Sequence, residues 1–444
     1  MKEIDLTKGN IFNKLISFSL PMIAGNLLQQ IYNFVDTLIV GKYLGANALA
    51  AVGSAYTLMI FITSIIIGLC MGSGAFFSED YGAGEKKKLK EDIWLSFWFI
   101  FSVSILIYFI VYPGMDFILR ILQTPKELMT LTKEYVTVVF AGIIFVYLYN
   151  FFAYLLRAIG NSFIPLVFLL ISSLLNIALD IYFVTGLNMG VAGAALATVI
   201  AQAVSGLGIL IYSMYKLPFL KNRKDRMIFN LQRLKQIIIN DVATGIQQSV
   251  MNFGILMIQG LVNSFGTIVM ASFAAAVKID TLAYMPAQEF GNAYSLFVSQ
   301  NYGANKKERI KEGTKISFAV SFIFCLMISF LVYIFAGSLM QIFIDASETA
   351  IIKEGIRYLR IEGAMYVGIG MLFLWYGYFR GINKPQISLL LTIISLGTRV
   401  LLSYALAPRT PLGVVAIWCS IPIGWILADL SGFYLYLKKN ILDI

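Results

Sequence analysis

The sequence predicts an all-α polytopic membrane protein with twelve transmembrane helices in two six-helix bundles, which are parallel repeats of one another. Three observations support this fold class: the composition, a series of long apolar segments and an internal repeat. Of the 444 residues, 59% are hydrophobic and only 13% are charged, whereas soluble domains carry about 25% charge. The apolar runs are too long for barrel strands, which alternate over about ten residues. A helical bundle in the membrane is therefore expected.

The apolar segments give the order of the helices. A hydrocarbon core about 30 Å thick requires about 20 apolar residues in each helix. The first segment carries Asn26 and Asp36 and is not followed by a small-residue cleavage site. We therefore expect it to be a helix of the protein and not a signal peptide. The twelve segments lie near residues 14–40, 47–77, 93–112, 135–157, 163–185, 191–215, 237–262, 267–298, 315–337, 357–379, 387–407 and 413–437.

The second half of the chain repeats the first. Residues 78–83 read Ser-Glu-Asp-Tyr-Gly-Ala, residues 299–304 read Ser-Gln-Asn-Tyr-Gly-Ala, and each stretch opens a lysine-rich loop. Six spans in each copy is an even number, so both copies enter the membrane from the same side and the repeat is parallel. Identical residues continue the register at shifts of 219 to 223 positions, and these pairs include Gln29/Gln248, Asn33/Asn252, Gly45/Gly266, Tyr135/Tyr358, Arg157/Arg380 and Gly190/Gly413.

The basic residues are distributed by loop. When alternate loops are pooled, one set holds 24 Lys and Arg residues and the other holds eight. The positive-inside rule then places both termini in the cytoplasm. This topology accounts for the net charge of +10 without a nucleic-acid partner. We predict an N-terminal six-helix lobe at residues 1–215, a basic cytoplasmic linker at 216–236 and a C-terminal six-helix lobe at 237–444.

Polar residues inside the predicted spans are the first candidates for function, because a charge at bilayer depth costs at least a few kcal/mol. Four helices of the first half carry polar residues at spacings of three or four, which place each set on one helix face. If these faces converge, their carboxylate, amide and hydroxyl groups surround a cavity suited to a proton or a small cation. The sets are Gln29, Asn33 and Asp36; Asn150, Tyr154 and Arg157; Ser172, Asn176 and Asp180; and Thr198, Gln202 and Ser205.

Two carboxylates that meet in a low dielectric cannot both stay ionised, so one of them takes up a proton. The chain has no histidine, so a proton relay has to use Asp, Glu or Tyr. The alternative is a set of interhelical hydrogen bonds that only packs the bundle. The second half does not repeat the acidic set, since Phe373 stands at the position of Asn150 and Ser403 at that of Asp180.

The second half has ionisable residues of its own. Glu289 and Arg399 lie deep in their predicted spans. We hypothesise that one or both line a substrate cavity; the alternative is a structural ion pair between them. Asp280 is expected near a span end, where its side chain can reach the interface.

A set of short motifs extends along the chain. They are Pro21 with Gly25-Asn26-Leu27-Leu28-Gln29-Gln30, Val35-Asp36-Thr37, Gly53, Tyr81-Gly82-Ala83, Arg157-Ala158-Ile159-Gly160-Asn161, and Met285-Pro286 followed by Gln300-Asn301-Tyr302-Gly303-Ala304. As a set they resemble the multidrug and toxic compound extrusion (MATE) family of efflux transporters, over essentially the whole chain. The resemblance implies two six-helix bundles that form a V-shaped cleft. It also implies antiport of cationic, often aromatic, compounds against Na⁺ or H⁺.

The resemblance also implies a coupling-cation site in the N-terminal lobe. Family members use an aspartate on the first helix, an asparagine on the fourth, an Asn-x-x-x-Asp pair on the fifth and a hydroxyl group on the sixth. The matching positions, for a proton or for Na⁺ as the metal, are Asp36, Asn150, Asn176, Asp180 and Thr198.

Two further features follow from the resemblance. Pro21 matches a first-helix proline that is proposed to let that helix bend with cation occupancy. Some members use acidic residues in the C-terminal lobe instead. Here Glu289 and Glu362 are present, but Arg399 is an unusual cation at that place.

The leading hypothesis is a secondary active antiporter that exports cationic or aromatic drug-like compounds in exchange for H⁺ or Na⁺. The runner-up is a lipid-linked oligosaccharide flippase of a related fold, which would line its cavity with several cations; here only Arg399 and Lys278 lie deep. An enzyme is not expected, because the chain has no histidine, no HExxH motif and no P-loop.

We expect a monomer in a bacterial plasma (inner) membrane, with no cofactor besides the coupling ion. The expected partners are the lipid bilayer and small cationic or amphipathic substrates. The candidate residues of the substrate cavity are Gln29, Asn33, Tyr154, Gln248, Asn252, Glu289 and Arg399.

Overall fold

The computed structural model describes residues 3–121, 124–217, 220 and 230–438, so most of the predicted linker at 216–236 lies outside the described residues. The α-helices in these ranges are α1 (Ile11–Leu44), α2 (Ala46–Ala83), α3 (Lys86–Ile121), α4 (Lys126–Ala141), α5 (Ile143–Ala158), α6 (Phe163–Ile181), α7 (Gly190–Lys216), α8 (Leu231–Asn263), α9 (Thr267–Gly303), α10 (Lys307–Gln341), α11 (Thr349–Glu362), α12 (Tyr366–Gly381), α13 (Pro385–Leu406) and α14 (Val414–Lys438). The all-α prediction is confirmed.

The predicted twelve spans correspond to single helices or to pairs of helices. Nine helices in the described ranges are long and apolar enough to cross a membrane, and the pair α4–α5, bent by 47°, makes a tenth. The other two positions are taken by α8 and by the pair α11–α12. Both are more polar, because α8 carries Gln247, Gln248 and Asn252 near its middle and α11 is rich in Lys, Arg and Glu.

The two predicted spans at 135–157 and 357–379 are each broken, which the sequence did not indicate. The first break falls on Gly142, between α4 and α5. A Cβ atom on Gly142 would lie 3.0 Å from Val199 Cγ2, so the missing side chain lets α7 approach the bend. The second break is the 3-10 turn Gly363–Met365. Hydropathy is continuous across both breaks, so it gives no signal for either.

The backbone carries the internal repeat. Four pairs of residues have a left-handed backbone, one member in each half, at the shifts of 221 or 223 that relate the two copies. The pairs, with their φ angles, are Gly45 (85°) and Gly266 (97°), Gly84 (75°) and Asn305 (58°), Gly160 (91°) and Asn383 (57°), and Gly190 (61°) and Gly413 (53°). Because only glycine and, less readily, asparagine adopt this conformation, the two halves turn the same four corners in the same way.

The described chain divides into two compact units. The first contains Met1–Asp5 and Leu20–Gly245, and the second contains Leu6–Ser19 and Ile246–Ile444. The division within α1 therefore falls one residue before Pro21. The division within α8 falls after Gly245, so the first half of α8 belongs to the first unit.

Aromatic packing fixes α5 at the centre of the first unit. The Tyr147 hydroxyl donates to the Phe97 carbonyl oxygen over 2.8 Å. The ring of Phe151 lies 5.4 Å from that of Phe97 and 5.7 Å from that of Phe77. These contacts join α5 to α3 and to α2, and such aromatic pairs contribute about 0.5–1.5 kcal/mol beyond the area they bury.

Candidate functional site

The structure brings Asp36 on α1 and Asp180 on α6 together in the first unit. Asp36 is 8% exposed and Asp180 is fully buried. Their carboxyl groups lie within hydrogen-bonding reach of each other. Among the described residues, no Lys or Arg faces the pair. Because two buried carboxylates without a cation repel each other and lose their hydration, this pair binds a proton or another cation.

Asn176 and Thr198 complete the polar surroundings of Asp180. Ser172 on α6 donates to the Ala201 carbonyl oxygen on α7 over 2.9 Å, which sets the two helices in register. In the amide orientation that satisfies its neighbours, Asn176 donates to Asp180 Oδ2 over 3.2 Å and accepts from the Thr198 backbone N–H over 3.3 Å. The Thr198 hydroxyl donates to the Ala194 carbonyl oxygen over 3.1 Å.

Two tyrosines face the same acids. Tyr32 on α1 faces both Asp36 and Asp180. Tyr135 on α4 faces the two aspartates as well, and its hydroxyl lies within hydrogen-bonding reach of Thr198. Tyr135 belongs to none of the polar stripes, and the only sequence signal for it is its identity with Tyr358 in the repeat. We refer to Asp36, Asp180, Asn176, Thr198 and Tyr135 as the first acidic cluster.

The first acidic cluster has acceptor oxygens to spare. Oδ1 of Asp36, Oδ1 of Asp180 and Oε1 of Gln202 are buried without a hydrogen-bond partner among the described residues. Buried acceptors are normally satisfied, so these atoms are candidate positions for a bound ion. Carboxylate and amide oxygens are hard ligands, and this set fits a proton or Na⁺.

The backbone widens directly after Asp180. Residues Tyr182–Gly186 form a π-helical turn, in which the Leu187 N–H donates to the Tyr182 carbonyl oxygen over 3.0 Å. Such turns occur frequently at functional sites, because they re-aim the side chains beside them. Nothing in the sequence pattern of the fifth span predicts this turn.

Asn150, the other predicted ligand, bonds to its own helix. Its Nδ2 donates to the Val146 carbonyl oxygen over 2.8 Å. None of the contacts described for it reaches Asp36 or Asp180. The structure therefore brings together four of the five predicted cation ligands and leaves Asn150 beside them on α5.

The predicted cavity residues of the first unit have varied surroundings. Gln29 is exposed on α1. Asn33 Nδ2 donates to the Tyr56 hydroxyl over 3.3 Å. Tyr154 is buried, and the guanidinium of Arg157 lies 5.3 Å from the centre of its ring.

The predicted cavity residues of the second unit lie in separate clusters. Gln248 and Asn252 are half-buried on α8. Glu289 Oε1 accepts from Asn292 Nδ2 over 3.2 Å. The contacts described for Arg399 are with other acids, so no ion pair between Glu289 and Arg399 is seen in the described part of the chain.

Arg399 faces Asp280 and Glu362. Tyr358 and Tyr366 face the same two carboxyl groups, and the Tyr366 hydroxyl donates to Asp280 Oδ1. The expectation that Asp280 lies near a span end is wrong: it is 2% exposed, because α9 extends more than three turns before it. We refer to Asp280, Glu362, Tyr358 and Arg399 as the second acidic cluster.

Comparison with known proteins agrees with this arrangement. The sequence profile of the MatE family matches residues 21–182 and again residues 243–405. Probable multidrug resistance protein YpnP of Bacillus subtilis is 30% identical over 89% of this chain and 88% of its own length. Probable multidrug resistance protein NorM of Thermotoga maritima is 25% identical over 92% of this chain and 88% of its own length.

Solved structures share the fold. An outward-facing multidrug resistance MATE family transporter superposes with a TM-score of 0.93 at 24% identity, covering 100% of this chain and 99% of that one. A MOP superfamily transporter from Pyrococcus furiosus, whose binding pocket is described as reversed in polarity and suggestive of a different function, gives the same values. The likeness to these structures concerns the fold.

The fold and the duplicated profile define a multi-pass membrane transporter. The chain belongs to the MatE family of efflux transporters.

Proposed function

We propose that this protein is a secondary active antiporter that exports cationic or aromatic drug-like compounds in exchange for H⁺ or Na⁺. It would act as a monomer in a bacterial plasma membrane with both termini in the cytoplasm. The observation that carries the proposal is the Asp36–Asp180 pair, which is buried, faces no Lys or Arg among the described residues and keeps unpartnered oxygens. The names of its relatives support a multidrug substrate range.

The proposed coupling site uses the five positions predicted from the sequence. Asp36 and Asp180 supply the charge, and Asn176 orients Asp180 through the 3.2 Å hydrogen bond. Thr198 and Asn150 supply neutral oxygens. A proton would sit between the two carboxyl groups, and Na⁺ would use the same carboxylate oxygens as hard ligands.

Exchange requires that the coupling ion and the exported compound favour different conformations. Pro21 is placed to serve as the bend of α1, since it interrupts the hydrogen-bond ladder of the helix beside the boundary between the two units. Asp36 lies four turns further along the same helix, so cation occupancy and the bend act on one element. The candidate cavity residues, from Gln29 to Arg399, would contact the exported compound.

The test is dye efflux from proteoliposomes that contain the purified full-length protein. A pH gradient and a Na⁺ gradient are imposed separately, and Asp36→Asn and Asp180→Asn are compared with the native chain. We expect both variants to lose exchange by at least about 100-fold, because each removes the charge that binds the ion. Native rates in both variants would remove the proposed site.

Asp116→Asn provides the matched control. Asp116 is an exposed acid on α3 that pairs with Lys133 over 2.8 Å. We expect its removal to leave exchange unchanged, since exposed ion pairs contribute little. The flippase alternative has less support, because Arg399 faces Asp280 and Glu362 and its charge is compensated. Translocation of a pyrophosphate-linked lipid without ion flux would favour it.

A further inference from the structure

The first half of α8 packs directly on a glycine face of α2. A Cβ atom on Gly68 would lie 2.5 Å from Gly245 Cα, and one on Gly72 would lie 2.6 Å from Asp241 Oδ1. No side chain can therefore occupy the space between the two helices. Glycines four residues apart allow close helix contact in membranes, and here the contact contains a carboxyl group.

Asp241 is fully buried in this contact. Its Oδ2 accepts a hydrogen bond from the Ser73 hydroxyl on α2 over 2.5 Å. Its Oδ1 has no hydrogen-bond partner among the described residues. This arrangement has no counterpart in the second half, where Met22 on α1 and Tyr294 on α9 stand at the corresponding repeat positions.

The groups around Asp241 supply no positive charge. The titratable groups that face it are Cys70 on α2 and Asp92 on α3. The nearest cation on its own helix, Arg233, binds Asp92 through Nε at 3.0 Å from each carboxylate oxygen. An ionised carboxylate in a dry contact without a cation costs several kcal/mol, so Asp241 is neutral while the helices are in contact.

We propose that Asp241 is a further proton-binding site of the first unit, separate from the first acidic cluster. It holds its proton while α8 is docked on α2. When the two helices separate, water reaches the carboxyl group, the O–H bond breaks, and the proton passes to water while the electron pair stays on the carboxylate. The ionised group then opposes re-docking, so rising pH favours the separated helices.

Cys70 is a native reporter of this separation. It is a free, fully buried thiol beside Asp241. In full-length protein carrying Cys325→Ala and Cys419→Ala, Cys70 is the single thiol that a small methanethiosulfonate reagent can label. The labelling rate is measured against pH for the Asp241 protein and for Asp241→Asn, which has nearly the same shape but cannot ionise.

Both proteins label faster as pH rises, because the thiolate is the reactive form. The ratio of the two rates removes this common term. We expect the ratio of Asp241 protein to Asp241→Asn to rise by up to about tenfold per pH unit, as linkage requires for a single proton released on opening. A ratio that stays constant across the pH range would overturn the proposal.

Two further variants complete the test. Asp116→Asn, which removes an exposed acid, should follow the Asp241 protein at every pH. If Asp241→Asn does not fold, Asp241→Ser replaces it, because serine also lacks an ionisable group. Labelling requires neither substrate nor an ion gradient, so its outcome is independent of whether the protein exchanges drugs for ions.

Discussion

The two acidic clusters occupy the same scaffold and differ in one decisive residue. Tyr135 in the first cluster and Tyr358 in the second are related by the repeat, and each faces a pair of carboxyl groups. Asn176 in the first cluster is related in the same way to Arg399 in the second. A neutral amide thus stands where the other unit has a permanent cation.

This difference changes what each cluster can bind. In the second acidic cluster the guanidinium of Arg399 compensates one of the two carboxyl groups, so an added cation has less to gain. In the first acidic cluster the same position offers only an amide, and the charge has to come from outside the protein. We therefore locate ion coupling in the first unit.

The strongest test converts the first cluster into the second. In Asn176→Arg, an internal guanidinium would compensate Asp180, and we expect ion-driven dye efflux to fall by at least about 100-fold, which corresponds to about 2.7 kcal/mol. Efflux from proteoliposomes under the gradient that drives the native chain is the measurement. Asn176→Gln keeps the amide and should lose far less, and an active Asn176→Arg protein would contradict the comparison.

The reverse change, Arg399→Asn, should affect stability more than transport. It leaves Asp280 and Glu362 buried without their cation, and breaking a buried pair in this way costs about 3–5 kcal/mol. Thermal unfolding of the purified protein measures this loss. The double variant Arg399→Asn/Glu362→Gln removes one acid as well and should recover part of the stability; no recovery would mean that Arg399 stabilises the unit in another way.

The related tyrosines separate the two roles further. Tyr135→Phe removes the hydroxyl that faces the proposed coupling site and should lower apparent ion affinity by about tenfold, since a hydrogen bond to a charged group contributes about 1.5–3 kcal/mol. Tyr358→Phe makes the same change in the second cluster and should leave ion affinity unaltered. Equal effects of the two substitutions on the ion dependence of efflux would remove the distinction between the units.

Asn150→Ala should have the smallest effect. The amide supplies one neutral oxygen at most and already bonds to the Val146 carbonyl in its own helix. We expect apparent ion affinity to fall about threefold, which is well under one factor of ten and so under 1.4 kcal/mol. Unchanged affinity in a titration of efflux against the coupling ion would take Asn150 out of the proposed site.

Much of the fold could be predicted from the sequence, because apolar length and repeat register are local or pairwise signals. The glycines at the four shared corners illustrate this: each pair falls at the shift read from the sequence. The bends at Gly142 and Gly363 could not be predicted, because a bend leaves the hydropathy of a span unchanged.

The candidate site divides in the same way. The spacing of Asn176 and Asp180 places both on one helix face, so their proximity follows from helical geometry. The position of Tyr135 depends on how α4 packs beside α1 and α6, which no single helix encodes. Asp280 and Asp241 are buried for the same kind of reason: neighbouring helices cover them, and a one-dimensional pattern does not show which helices are neighbours.

The wide turn at Tyr182–Gly186 makes the spacing after Asp180 sensitive to chain length. An α-helix advances about 100° per residue, and the turn accommodates one residue more than regular winding would. Deleting a single residue such as Val184 would restore regular winding and rotate everything downstream relative to Asp180 by about that angle. Insertions and deletions there should therefore be tolerated far less well than substitutions of the same side chains.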